Sequence, residues 1–211
     1  MLITLSGLDG AGKSTVAEWL RGELERERRA VTVLHMNDHV GLYAWVRALR
    51  DRVQGRSSRD DPPRMAPSPT RLGRIRDAVV WSKNLRRLLF PLDVLIFLCY
   101  RAVVEKLSGR VLIMDRYFYD RLVDVVDGRP GRWLPLLARL TPRPDLPVLL
   151  EITPEEAFAR KGEYTVEYLR RRDRAYRRLF PGTNGALRIP AVELDAVKAT
   201  LGRVVRERLV P

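Results

Sequence analysis

Gly7, Gly12, Lys13 and Ser14 stand at the spacing G-x-x-x-x-G-K-[ST], with Leu8-Asp9-Gly10-Ala11 between the two glycines. Each fixed position answers a need of phosphate chemistry. Glycines let successive backbone N–H groups turn toward one point, a lysine neutralises anionic oxygens, and a hydroxyl offers a hard ligand to a divalent cation. The spacing predicts a phosphate cradle made by Gly7, Gly10, Ala11, Gly12, Lys13, Ser14 and Thr15, and with it binding of a nucleoside triphosphate. Lys13 would face the β- and γ-phosphates and Ser14 a Mg²⁺ ion. A second carboxylate belongs with them. Asp115 follows the apolar run Val111-Leu112-Ile113-Met114, which reads as a buried parallel strand. Ligands in open α/β sheets bind at the C-terminal edge of such strands, so Asp115 is placed to share the metal with Ser14. The alternative is that Asp115 only caps the turn that follows.

The elements that must hold these groups are legible on both sides. Residues 2–5 form a short apolar run before the loop, and Val16, Ala17, Leu20 and Leu24 recur after it at helical spacing. A helix over 14–28 leads to a β-branched strand at 31–36. A second helix is expected over 41–53. Residues 54–74, dense in proline, serine and arginine, read as an irregular surface insertion. Helical periodicity returns near residue 74, restarts at Pro91 and ends at Ser108-Gly109. Strands over 110–114, 147–152 and 186–189 follow, with helices over 154–160, 166–180 and from Pro190 through 209. Such alternation predicts one α/β domain over 1–211, a parallel sheet of about five strands flanked by helices.

Composition narrows the class further. The 211 residues carry a formal charge of +13, almost all of the excess being arginine. That balance favours anionic partners, yet no reader module for nucleic acid accompanies it, so nucleic acid is not expected as a partner. The one cysteine, Cys99, lies in the apolar stretch 94–100 and is expected to be a buried core thiol. Stretch 85–104 is interrupted by Arg86, Arg87, Pro91, Asp93 and Arg101, so it reads as a buried helix and not as a membrane span. With no basic–apolar leader ahead of the first strand, a cytoplasmic protein is expected.

Together, Gly7 to Thr15 and Asp115-Arg116-Tyr117 resemble the phosphate loop and the Asp-Arg-Tyr motif of thymidylate kinases, and the resemblance extends more loosely over most of the chain. It implies a P-loop nucleotide kinase that uses ATP and Mg²⁺, in a family whose members commonly form homodimers packed through helices. Asp9 then matches the carboxylate that contacts the acceptor sugar, and Arg116 and Tyr117 belong to the acceptor side. Arg101 is placed like the helix arginine that grips the acceptor phosphate. A short lid would lie at about 160–165. Because Gly10 stands where some relatives carry a basic residue, Arg160 is the first choice for stabilising the transferring group, with Lys161 and Arg170 to Arg174 in reserve. Of these, Arg171, Arg172 and Arg174 read more simply as a solvated helix face.

Departures from the family fall on the acceptor side. The Arg-Glu-Pro-Gly-Gly segment after the second strand is replaced by His35-Met36-Asn37-Asp38-His39, and Phe118-Tyr119-Asp120-Arg121-Leu122-Val123-Asp124 replaces the polar stretch that frames thymine. Asp38 is a candidate for an acceptor hydroxyl; His35, Asp38 and His39 lack the further ligand a zinc site needs. Tyr164 and Tyr168 share a helical face near the lid and read as rim or core residues. The expected activity is phosphoryl transfer from Mg·ATP to a nucleoside monophosphate. Two alternatives remain: a kinase of a non-nucleotide metabolite, and a nucleotide-binding module without catalysis.

Overall fold

The computed structural model describes residues 1–35, 83–126, 133–180 and 185–209. Asp38, His39, the expected helix at 41–53 and the insertion at 54–74 lie outside the described residues. Five strands form one all-parallel sheet: β1 (Leu2–Gly7), β2 (Val31–His35), β3 (Val111–Asp115), β4 (Leu146–Glu151) and β5 (Leu187–Pro190). Their order is β2-β3-β1-β4-β5. The sequence explains the order's centre. All six residues of β1 and all five of β3 are buried, as continuous apolar strands covered on both faces must be. β2 and β5, on the outside, are only partly buried.

Helices flank this sheet. α1 (Lys13–Arg26) buries Val16, Ala17, Leu20 and Leu24, the stripe read from the sequence, and packs on β1, β2 and β3. The long α2 (Lys83–Ala102) runs into a π-helical turn at Val103–Leu107 before β3. α3 (Phe118–Val126) and α4 (Trp133–Leu140) follow β3. Neither helix is among the elements expected from the sequence. α5 (Pro154–Lys161) has a full set of end signals: Thr153 accepts from the Glu156 N–H, Glu156 reaches back to Thr153, and Gly162 ends the helix in a left-handed turn. Thr165 then caps α6 (Val166–Leu179). α7 (Leu194–Leu209) closes the described chain against α1. Residues 162–165 are thus pinned between a stop signal and a start signal.

α2 is not the buried helix expected. Phe90, Val94 and Phe97 face inward, while Leu92, Leu95, Ile96, Leu98 and Tyr100 are exposed. Cys99 is exposed with them and is not a core thiol. A helix has only one face toward the sheet, and a run that is apolar all round must leave the other uncovered. Inside, Phe97, Tyr117, Phe118 and Tyr119 pack edge-to-face with centroids 5.2–5.8 Å apart. No helix among the described residues is long and apolar enough to cross a membrane.

Candidate active site

The phosphate loop leaves β1 at Gly7 and enters α1 at Lys13, with Gly10 and Gly12 at φ 95° and 81°. These left-handed values cost a residue with a side chain about 1–2 kcal/mol, which glycine avoids. Gly10 answers a second constraint. A Cβ there would lie 2.8 Å from the carbonyl oxygen of Ala157 in α5, whereas at Gly12 it would meet nothing within 4 Å. The loop and α5 approach each other main chain to main chain, and a basic side chain at position 10 has no room.

Lys13 is almost wholly buried and donates to the carbonyl oxygens of Gly7 and Leu8, at 2.9 and 2.8 Å. Its ammonium also lies 3.8 Å from Asp9 Oδ1. Burial pushes the lysine down from its usual value and Arg116 adds to this, against the opposing pull of Asp9, Asp120 and Asp115. Ser14 and Thr15 open the first turn of α1 and face solvent.

β3 delivers the second half of the site. Leu5 of β1 and His35 of β2 both pair with Asp115, so the strand ends come level at one edge. Ser14 Oγ donates to Asp115 Oδ2, and His35 Nδ1 lies 3.2 Å from the same oxygen. Asp115 does not cap the next helix. Its other oxygen, Oδ1, is buried without a hydrogen-bond partner. A hydroxyl and a half-satisfied carboxylate side by side are hard oxygen donors of the kind Mg²⁺ takes along with waters and phosphate oxygens, so these residues fit the ion.

Arg116 has φ 65°, in the left-handed region where a side chain other than glycine's is strained. Two contacts pin it: its N–H donates to Leu5 O at 3.0 Å, and its guanidinium donates to Asp9 Oδ1. Asp9 therefore holds Arg116 on one side and Lys13 on the other. Burial alone would raise its carboxyl, but Arg116, then Lys13, Arg172 and Lys161, outweigh burial and hold it below the usual carboxylate value. Strain at a non-glycine residue persists where surrounding contacts over-determine it, a pattern found at ligand sites.

Three expected site residues fall elsewhere. Arg101 donates to Glu105 at 2.6 Å, to Arg143 O at 3.0 Å and to Asp145 at 3.0 Å. The same Asp145 oxygen accepts the Leu2 N–H, where β1 begins. Arg101 thus sits at the starting edge of the sheet, about 20 Å from the phosphate loop across the length of β1. It cannot grip an acceptor at the other edge. Tyr117 is fully buried and its hydroxyl donates to Pro142 O at 2.6 Å; it is a core residue. Arg160 donates to the carbonyl oxygens of Ala191 and Val192, at 2.9 and 3.0 Å. Its guanidinium is committed to the loop after β5 and not to the phosphate cradle.

Arg172 corrects the opposite error. Expected on a solvated face, it is only 8% exposed, and its charge acts on both Asp9 and Arg116. The sequence holds a signal for it, because Tyr168, Arg172 and Tyr176 recur at i, i+4 on one side of α6, with Tyr164 four residues before them. Tyr164, above them, feels the Asp9 charge after its own partial burial. Asp9, Lys13, Ser14, Asp115 and Arg116 are thereby gathered at one sheet edge, with Arg172 and Lys161 close enough to act on Asp9.

No model of a known protein family matches the chain. Among curated proteins it is similar to the probable thymidylate kinase of Thermococcus gammatolerans, 30% identical over 161 residues, which cover 76% of this chain and 69% of that one. The probable thymidylate kinase of Methanosphaera stadtmanae is 25% identical over 205 residues, 93% of this chain and 92% of that one. That of Archaeoglobus fulgidus is 25% identical over 164 residues, covering 76% and 68%.

Proposed function

Because the chain belongs to the thymidylate kinase family, as a divergent member, and is therefore a phosphotransferase, we propose that it moves the γ-phosphoryl group of Mg·ATP onto a nucleoside monophosphate. One observation carries this reading: Asp9, in the phosphate loop, contacts both Lys13, from the donor side, and Arg116, which follows β3 on the acceptor side. Donor and acceptor would meet where charge must be neutralised.

In the transfer, an acceptor phosphate oxygen forms a bond to the γ-phosphorus while the bridging bond to the β-phosphate breaks, leaving ADP. Little covalent chemistry falls to the protein, so its work is positioning and charge stabilisation. Lys13 leaves the carbonyls of Gly7 and Leu8 for the β- and γ-phosphates. The N–H groups from Gly10 to Thr15 turn toward the same phosphates. Ser14 and Asp115 would hold Mg²⁺, which would supply charge neutralisation for the phosphates. Asp9 accepts from an acceptor hydroxyl, and Arg116 offers its planar fork to the acceptor phosphate. Arg172, the buried guanidinium nearest this group in charge, takes over the part first given to Arg160.

ADP release from Mg·ATP, followed across a panel of nucleoside monophosphates that includes thymidine monophosphate, tests this. Turnover on one nucleotide, abolished in Lys13→Ala, is expected; normal turnover by that variant would overturn the assignment. A second reading keeps the chemistry and changes the acceptor to another phosphorylated metabolite. Its support is α3, which stands where the family has its thymine-framing stretch and which buries Asp120. Silence across the nucleotide panel with turnover on sugar phosphates would favour it.

A further inference from the structure

Asp120 is a carboxylate only 4% exposed, and nothing in the transfer chemistry uses it. It stands three residues after Tyr117, the residue that leads into α3, and its Oδ2 accepts the Tyr117 N–H at 2.9 Å, the return half of a capping box. The same oxygen accepts from Ser6 Oγ at 2.8 Å, in the residue just before the phosphate loop. Its other oxygen accepts from the hydroxyl of Tyr176, which is fully buried in α6. A helix start needs none of this reach: one side chain ties β1, α3 and α6 together.

The chain of contacts continues toward the lid. Arg172 donates to the Tyr176 hydroxyl at 3.5 Å and to the Tyr168 hydroxyl at 3.0 Å. Its guanidinium also lies 5.9 Å from the centre of the Tyr176 ring and 5.7 Å from that of Tyr168. Tyr168 in turn stacks on Tyr164, with centroids 4.9 Å apart and planes 25° from parallel. Tyr164 is an exposed residue of the segment between α5 and α6. The ladder thus runs from Ser6, beside the cradle, to Tyr164, at the lid.

We infer that Asp120 is a positioning residue, which through Tyr176 holds Arg172 beside Asp9 and anchors the lid to the strand that carries the phosphate loop. Stability alone does not call for such an arrangement, since an apolar core of the same volume would serve as well or better. Its distinctive product is a guanidinium held between the Tyr168 and Tyr176 hydroxyls and close to their rings, where its charge acts on Asp9, the carboxylate that faces the acceptor. Lid and cradle then share one fixed reference. The role of Arg172 toward the acceptor rests on the reading proposed above; the anchoring does not.

Tyr176→Phe is the sharpest perturbation, because it removes the linking hydroxyl and keeps the ring. Hydrogen exchange on the full chain, without acceptor, is expected to speed up at residues 161–168 while β1 and β3 stay protected; unchanged exchange at 161–168 overturns the anchoring. With thymidine monophosphate as the acceptor probe, the acceptor KM is expected to rise roughly tenfold or more, as for loss of a hydrogen bond to a charged group, with the KM for Mg·ATP little changed. A uniform fall in kcat with both KM values unmoved would mean a merely structural tyrosine and overturn the positioning role. Asp120→Asn, which keeps an acceptor oxygen but loses the charge, is expected to fall between Tyr176→Phe and wild type in both readouts. If wild type turns over no nucleoside monophosphate, the acceptor reading fails, and the exchange result still decides the anchoring.

Discussion

Replacing Gly10 by alanine puts one methyl group where the loop meets α5, and Gly12→Ala supplies its control. Both positions have left-handed backbone, φ 95° and 81°, so each variant suffers about 1–2 kcal/mol of backbone strain. Each also gains the same small stabilisation from a less flexible unfolded chain. Only at position 10 does the new Cβ run into something, the Ala157 carbonyl oxygen at 2.8 Å. Overpacking of this kind costs about 1–3 kcal/mol. For a chain of this length each kcal/mol moves the melting temperature by about 2–4 °C, so Gly10→Ala should melt roughly 2–12 °C below Gly12→Ala. Thermal melting without nucleotide is the assay, because both substitutions disturb the phosphate loop itself. Trimming Ala157 to glycine should give no relief, since the obstructing atom is main chain. If Gly10→Ala melts at or above Gly12→Ala, the close approach of loop and helix is wrong.

Arg101→Ala should cost about 1–3 kcal/mol in urea unfolding, from three lost hydrogen bonds at a partly buried site, and leave kcat and the acceptor KM as in wild type; a large loss of acceptor binding would return Arg101 to the active site. Asp9 supplies a pH dependence. Its folded pKa lies below the ordinary carboxylate value, so the native state binds fewer protons than the unfolded chain in that window. The stability it contributes is complete above about pH 4 and is lost as pH falls through the depressed value. The stability difference between wild type and Asp9→Asn should therefore hold steady toward neutral pH and shrink in acid. A difference that stays constant well into acid would contradict the ion pairing drawn here.

What the sequence disclosed was local. Gly7 to Ser14 specify their own turn, and Val111 to Asp115 specify a buried strand with an acid at its end, so the loop and the carboxylate beside it are legible from the sequence. Arg101 was misread for a topological reason. α2 leads into β3 through one short turn, so its last residues lie where β3 begins, at the sheet edge opposite the ligands. A motif-like position says nothing of which edge it reaches. Cys99 was misread because stretch 94–100 is apolar on every side, and hydropathy cannot choose the inward face of such a helix. Arg172 was written off as a surface charge although its i, i+4 tyrosine neighbours marked the buried side of α6. Asp120 shows locally only as the return half of a capping box with Tyr117; its partners in β1 and α6 lie 114 residues before it and 56 after.

Gly10 also bears on how such an enzyme can change. Where relatives place a basic side chain in the loop, the route is closed to this chain by a carbonyl on a neighbouring helix, not by the loop's own chemistry. To regain that charge, a lineage would first have to move α5 outward, loosening the capped helix that leads to residues 162–165. Until it did, every single substitution at position 10 would pass through a less stable protein. What can stand at position 10 is thus set by main-chain packing against α5.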